Sequence, residues 1–117
     1  MRFEDTTGPL RDLCKRLLAV IGDLSGAKPR YKWGWYSPAT GPVCVYLRIV
    51  GKKARTYPPN SVYLAAPWHE QLDLPGVKEG NNMFGSRSAD LIAQGAKPED
   101  HRRAEEFIRR VFHVHGG

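Results

Sequence analysis

The segment "PVCVYLRIV" at residues 42–50 decides the fold class. Its side chains alternate between two sets, Val43, Val45, Leu47 and Ile49 in one, and Cys44, Tyr46, Arg48 and Val50 in the other. A period of two places each set on its own face of a β-strand, so the segment is predicted to be a strand with one face in a core. The turn composition of "SPATGP" at 37–42 predicts a hairpin that joins this strand to residues 31–36.

Two amphipathic helices flank the strand region, at about 9–24 and 98–114. Apolar side chains recur there at spacings of three and four, which is the period of a helix with one buried face. These side chains are Leu10, Leu13, Cys14, Leu17, Leu18, Ile21 and Leu24 in the first helix, and Ala104, Phe107, Ile108, Val111 and Val114 or His115 in the second. Both helices are therefore expected to pack on the sheet.

Further strands are predicted at "ARTY" (54–57) and "SVYLAAP" (61–67). Residues 68–88 are expected to form a loop, because glycines and asparagines interrupt regular structure there. The segment "SADLIAQG" (88–95) is compatible with a strand or a short helix, and its capping serine and terminal glycine favour the helix.

The predicted fold is therefore α+β, an antiparallel β-meander of three to five strands packed by an N-terminal and a C-terminal helix. Its 117 residues suit a single small domain, 1–117. No apolar run resembles a membrane span or a signal peptide, so a cytoplasmic protein without a membrane partner is expected. Cys14 and Cys44 are too few for a disulfide framework and are predicted to be buried free thiols.

The net charge of +6 predicts a polyanionic partner, either nucleic acid or an acidic protein surface. The turn "GKKAR" at 51–55 is the best candidate for phosphate contact, because no carboxylate lies near it in sequence. On the last helix, by contrast, Glu105–Arg109 and Glu106–Arg110 have the spacing of local ion pairs. The candidate nucleic-acid-binding residues are Lys28, Arg30, Lys32, Tyr36, Lys52, Lys53 and Arg55.

The aromatic segment "YKWGWYS" at 31–37 has two interpretations. As a strand it would place Tyr31, Trp33 and Trp35 on one face, where the rings could cover the first helix. The rings could instead form a base-stacking surface among the neighbouring cations. The core interpretation is favoured, with one edge ring, Tyr31 or Tyr36, left for a ligand.

Catalytic and metal-binding patterns are weak in this sequence. It contains no H-E-x-x-H, no paired C-x-x-C and no phosphate-binding glycine loop. A non-enzymatic protein without a cofactor is therefore expected. If the protein is an enzyme, His69, Glu70 and Asp73 would serve a metal-assisted or acid–base hydrolase. The candidate metal ligands are His69, Asp73, His113 and His115.

Four segments resemble the small bacterial domains related to the YdhG family, iron chaperones of frataxin-like shape. They are "WGWYSP" at 33–38, "VYLRI" at 45–49, "DLPGVKEGNN" at 73–82 and "EEFIRRVF" at 105–112. The resemblance implies an α+β fold and would carry over Asp73, Glu79 and Gly80. The Pro-Pro insertion at 58–59 departs from the family.

Three functions remain open from the sequence. The first is a basic non-enzymatic module that binds nucleic acid or another acidic partner. The second is a YdhG-like metal-handling or metabolic accessory domain with a site in the 68–88 loop. The third is a structural or interaction subunit of a larger assembly, such as that of a phage.

Overall fold

The computed structural model describes residues 1–52, 55, 57–81 and 87–116. At Asn81 it describes only the backbone. It contains two long helices and six strands. The helices are α1 (Gly8–Ser25) and α2 (Pro98–His115). The strands are β1 (Arg30–Lys32), β2 (Trp35–Ser37), β3 (Tyr46–Val50), β4 (Ser61–Pro67), β5 (Lys78–Asn81) and β6 (Arg87–Gln94). Short 3₁₀ turns occur at Phe3–Asp5 and Glu70–Leu72.

All strand pairs are antiparallel, in the order β1-β2-β3-β4-β6-β5. The α+β class and the two flanking helices are confirmed. The expectation of three to five strands is wrong, because the described sheet has six. The first four strands follow one another as a meander, whereas β5 lies at the far edge beyond β6. The sheet is therefore not a simple meander.

A tight hairpin replaces the single strand expected at 31–36. Trp33 and Gly34 have φ angles of +53° and +85°, so they form a two-residue turn between β1 and β2. Tyr31 pairs with Tyr36 across this hairpin, and Lys32 pairs with Trp35. The expectation that Tyr31, Trp33 and Trp35 share one face is therefore wrong, since the turn resets the alternation. The β2 strand still pairs with β3 as predicted, through Tyr36 and Leu47.

The helix favoured at 88–95 is a strand in the structure. Residues 88–94 pair with β4 along its whole length, from Ser61–Gln94 to Pro67–Ser88. This long-range pairing overrides the local helical signals. The loop expected at 68–88 is likewise shorter than predicted, because β5 forms within it and pairs with β6. Of the strand predicted at 54–57, two residues lie outside the described ranges, and Arg55 and Tyr57 belong to no strand.

The core lies between one face of the sheet and the two helices. It is built from aliphatic side chains of both layers, with Phe107 as its largest fully buried side chain. The helical members are Leu10, Leu13, Cys14, Leu17, Val20, Ile21, Ala104, Phe107, Ile108 and Val111, and the strand members include Leu47, Ile49, Val62, Leu64, Leu91 and Ala93. Most of both helical stripes is thus buried as predicted, whereas Leu18, Val114 and His115 are half-buried and Leu24 is exposed at the end of α1.

Both cysteines are buried and free, as expected. Burial raises the pKa of Cys14 to about 12 and also raises the pKa of Cys44. Within the described part of the chain, neither helix combines the length and apolar character needed to cross a bilayer.

Candidate nucleic-acid interface

Among the described residues, no helix or strand covers the sheet face opposite the two helices, and we call it the open face. Paired residues of antiparallel strands lie on the same face, so the register identifies its members. One row crosses five strands and consists of Lys32, Trp35, Arg48, Tyr63 and Ile92. A second row consists of Tyr46, Ala65, Asp90 and Lys78.

Four aromatic rings on and beside this face form a continuous band. Trp35 lies at its centre, with ring centroids 5.9 Å from Tyr46 and 5.8 Å from Tyr63, both in edge-to-face geometry. Tyr57, from the β3–β4 connection, extends the band with a centroid 5.0 Å from Tyr63. All four rings are half-buried, while Ala65, which shares this face by register, is fully buried although it lies outside the core cluster between the sheet and the helices. This aromatic band (Trp35, Tyr46, Tyr57 and Tyr63) therefore presents partly exposed rings to solvent.

Cations surround the aromatic band. The guanidinium of Arg48 lies 5.8 Å from the centroid of Trp35, which is a cation–π contact. The strand positions of the open face also carry Arg30, Lys32 and Lys78, all of them exposed. Among the described strand residues, Asp90 is the carboxylate on this face by register. The open face is therefore positively charged, as a phosphate-binding surface must be.

Asp90 is itself engaged by the aromatic band. The hydroxyl of Tyr63 donates a 2.7 Å hydrogen bond to Oδ2 of Asp90. Burial, and then this bond to a carboxylate, raise the pKa of Tyr63, so its phenol stays protonated at neutral pH. The hydrogen bond fixes the orientation of the Tyr63 ring, and it directs Oδ2 of Asp90 toward Tyr63 rather than toward solvent.

A cleft of about 520 Å³ lies beside this pair, between Tyr57 and the end of β5. Two buried acceptor atoms near it, Oδ1 of Asp90 and Oγ of Ser88, have no hydrogen-bond partner within the described residues. Gly80 of β5 packs against the Asp90 carboxylate, and a Cβ there would collide with it. The cleft thus combines aromatic walls with a polar floor.

The candidate cations named from the sequence do not all lie together. Arg30 and Lys32 are on the open face, and Lys52 and Arg55 are exposed in the β3–β4 connection. Lys28 instead lines a groove of about 650 Å³ between α1 and the N-terminal residues. Lys53 lies outside the described residues, so the proposed contact of the whole 51–55 turn stays a prediction.

Tyr36 is not the exposed ring that the sequence suggested. Only 8% of its surface is accessible, and its hydroxyl accepts a 2.7 Å hydrogen bond from the amide of Phe3. It lies on the core face because it pairs with the buried Leu47 of β3, and Tyr31 shares this face with a ring centroid 4.7 Å away. Burial raises the pKa of Tyr36. Tyr36 therefore belongs to the core and is removed from the candidate stacking residues.

The sequence interpretation missed Tyr46 and Tyr63 as members of a binding surface. The signal for Tyr46 was the alternation in "VYLRI", which assigns it, together with Arg48, to the face opposite Leu47. Placing Trp35 on the face opposite Tyr36 and beside Arg48 would have required recognising the two-residue turn at 33–34.

Among the described residues, the acidic and histidine side chains of the 69–73 segment are not grouped as the ligands of a metal ion would be. Nδ1 of His69 accepts a hydrogen bond of 3.0 Å from the amide of Gln71, and its ring lies 5.9 Å from that of His115. His115 in turn contacts the carbonyl of Pro67 at 2.7 Å through Nε2. In the described ranges, no three His, Cys, Asp or Glu side chains are placed to share a metal ion. The structure therefore brings two of the candidate ligands together, His69 and His115, without a third.

The cations of α2 are partly neutralised, as expected. Glu105 forms the predicted ion pair with Arg109 at 3.2 Å and a second one with Arg16 of α1 at 2.7 Å. The predicted pairing of Arg110 with Glu106 is wrong, because Arg110 donates instead to the carbonyl of Gln71 at 3.3 Å. This face of α2 is therefore less suited to phosphate contact than the open face.

The chain matches no protein-family model, no curated protein and no solved structure. The resemblance to YdhG-like domains therefore rests only on the four quoted segments. The chemistry of the open face is the remaining guide to function.

Proposed function

We propose that the protein is a non-enzymatic module that binds single-stranded nucleic acid on the open face of its sheet. The observation that carries this proposal is the half-exposed aromatic band, with Arg48 in cation–π contact with Trp35 at its centre. Rings on a positively charged sheet surface are a general means of holding unpaired bases.

The two kinds of side chain have separate roles. The rings of Trp35, Tyr46 and Tyr63 would stack on successive bases, each contributing about 1–3 kcal/mol. Arg48 and Lys32 would contact the phosphates between them and release counterions. Single strands are favoured over duplexes because the base faces of a duplex already stack on one another.

The β3–β4 connection extends the basic surface beyond the sheet. Lys52 and Arg55 are exposed there, and Tyr57 from the same segment contacts Tyr63 of the band. A strand that crosses the open face would therefore meet further cations at this end.

Binding of a fluorescently labelled oligothymidine, followed by anisotropy over a range of salt, tests the proposal. Replacing Lys32 and Arg48 together with glutamine should weaken binding and flatten the slope of log K against log salt by about 0.7 for each lost phosphate contact. The matched control replaces Arg102 and Arg103 of α2, which are exposed on the helical side of the sheet. It removes the same charge, so an equal loss of affinity in the control would reject the open face as the site.

The contribution of the rings is tested separately with Trp35→Leu, with folding checked by circular dichroism. This change removes no charge, so affinity should fall while the salt slope stays the same. Absence of binding by the wild-type protein at about 50 mM salt, where nonspecific electrostatic binding is favoured, would reject the proposed function.

A further inference from the structure

Trp33 occupies the tip of the β1–β2 hairpin with 88% of its surface exposed. Its φ angle is +53°, in the left-handed region, and that of Gly34 is +85°. A two-residue turn with positive φ at both positions favours Asn-Gly, Asp-Gly or Gly-Gly. A bulky side chain at the first position is a conformational outlier.

Neither the turn nor the core explains a tryptophan at this position. A ring that is this exposed contributes little free energy through burial. Asparagine adopts the left-handed backbone conformation at this position more readily than tryptophan does. Residues in such conformations occur preferentially where a ligand is bound. The Trp33 ring is thus a candidate for a contact outside the fold.

The position of the ring relates it to the open face. The ammonium of Lys32 lies 5.0 Å from the centroid of Trp33. Lys32 belongs to the open face, since it pairs with Trp35. The Trp33 ring therefore extends the aromatic surface past the ends of β1 and β2, and it lies next to a cation of the open face.

We infer that Trp33 is a binding residue that stacks on an unpaired base at the end of the strand held on the open face. This inference rests on the proposed function and assigns it a further contact. The favoured occupant is a nucleobase because Lys32, beside the ring, can contact the phosphate that joins this base to the next one.

The substitution Trp33→Asn tests the inference, because stability and affinity should change in opposite directions. The thermal midpoint should stay the same or rise, since Asn-Gly is the preferred sequence for this turn. The affinity for oligothymidine, measured well below that midpoint, should fall about 5- to 150-fold, the equivalent of one lost stacking contact. The salt slope should not change.

Two further variants complete the test. Trp33→Phe keeps an aromatic ring and should retain most of the affinity, whereas Leu24→Gln removes an exposed apolar side chain from the end of α1 and should have no effect. Unchanged affinity in Trp33→Asn, with weakened binding in the Lys32 and Arg48 double variant, would overturn this inference and leave the proposed function standing. An equal loss in Trp33→Phe and Trp33→Asn would overturn stacking.

The exposed ring could also serve a lipid surface, and the same variant distinguishes this outcome. Cosedimentation with phosphatidylserine vesicles that depends on Trp33, together with oligothymidine binding that does not, would overturn the assignment to a nucleobase. Failure of the wild-type protein to bind oligothymidine would overturn the proposed function and this inference together.

Discussion

Gly95 provides a quantitative test of how the helices are held against the sheet. It is buried in the connection between β6 and α2, where its amide donates to the carbonyl of Asn60 at 3.0 Å. Its own carbonyl contacts Nε2 of His101 at 2.7 Å. A Cβ at this position would lie 2.7 Å from both the backbone nitrogen and Cα of Leu10, in the first turn of α1. Two hydrogen bonds made by its backbone groups therefore fix the position of Gly95, and the backbone of Leu10 leaves no room for a side chain there.

The cost of Gly95→Ala follows from this geometry. Ordinary contacts of a Cβ begin at 3.4 Å, so α1 or the connection would have to move by 0.7 Å, the difference between 3.4 and 2.7 Å, to restore an ordinary contact. Overpacking of this kind costs about 1–3 kcal/mol, offset in part by about 0.4–1 kcal/mol from the lower entropy of the unfolded chain. We expect a net destabilisation of about 1–2 kcal/mol.

Urea denaturation measures this change, with an unaltered m value as the sign that only stability has changed. The matched control is Gly22→Ala within α1, where a Cβ would make ordinary contacts of 3.5 Å with the carbonyl of Ala27 and 3.6 Å with Pro29. That variant should be more stable by about 0.5–1 kcal/mol, because alanine is a better helix former than glycine. Gly95→Ala as stable as the wild type would refute the reasoning.

Three other predictions concern the core, the thiols and the response to acid. Leu17→Ala should destabilise by about 2–5 kcal/mol in the same urea assay, because Leu17 is fully buried; a negligible change would mean that the site collapses without cost. Cys14 and Cys44 should react with a thiol reagent only as fast as the protein unfolds, since burial raises the pKa of both, and rapid labelling of the native protein would contradict this. Hydrogen bonds from Arg16, and then from Arg109, lower the pKa of Glu105 below its ordinary value of 4.5, so its contribution to stability should be present above pH 4.5 and lost as the pH falls through the lowered value. Glu105→Gln should therefore flatten the loss of stability in acid, and an unchanged pH profile would show that these ion pairs contribute nothing.

The helices were predictable because their signal is local. The stripe of α1 from Leu10 to Ile21 repeats at helical spacing, and prolines mark the first turns of both helices. The strand β3 was predictable for the same reason, since its alternation is complete within five residues. Its two faces also separate the core residue Leu47 from Arg48 on the open face.

The other strands depended on interactions that the local sequence does not contain. Ala89, Leu91 and Ala93 of β6 suit a strand as well as a helix turn, and pairing with β4 decides between them. The hairpin at 31–36 depended on a positive φ at Trp33, a residue type that rarely adopts it. The sequence analysis therefore extended the alternation of a single strand through the turn at Trp33 and Gly34, and it assigned Tyr31 and Trp35 to the same face.

The candidate site was predictable in its residue types but not in its arrangement. Positive charge and aromatic content are visible in the composition, and Arg30 and Lys32, two of the candidate nucleic-acid-binding cations, are exposed in the structure. Which rings join them depends on strand register, and a shift of one residue exchanges the two faces. Tyr36 and Trp35 are adjacent in sequence and lie on opposite faces for this reason.

The two edge strands have a consequence for assembly in solution. An unpaired edge is a template for strand addition by another copy, which leads to aggregation unless the edge is short or charged. The edge strand β1 has three residues, two of which are Arg30 and Lys32, and β5 has four, including Lys78 and Glu79. Pairing of two β1 edges would bring four cations together, two from each copy. Like-charge repulsion at this edge therefore opposes polymerisation of the sheet, while its aromatic surface stays accessible to a ligand.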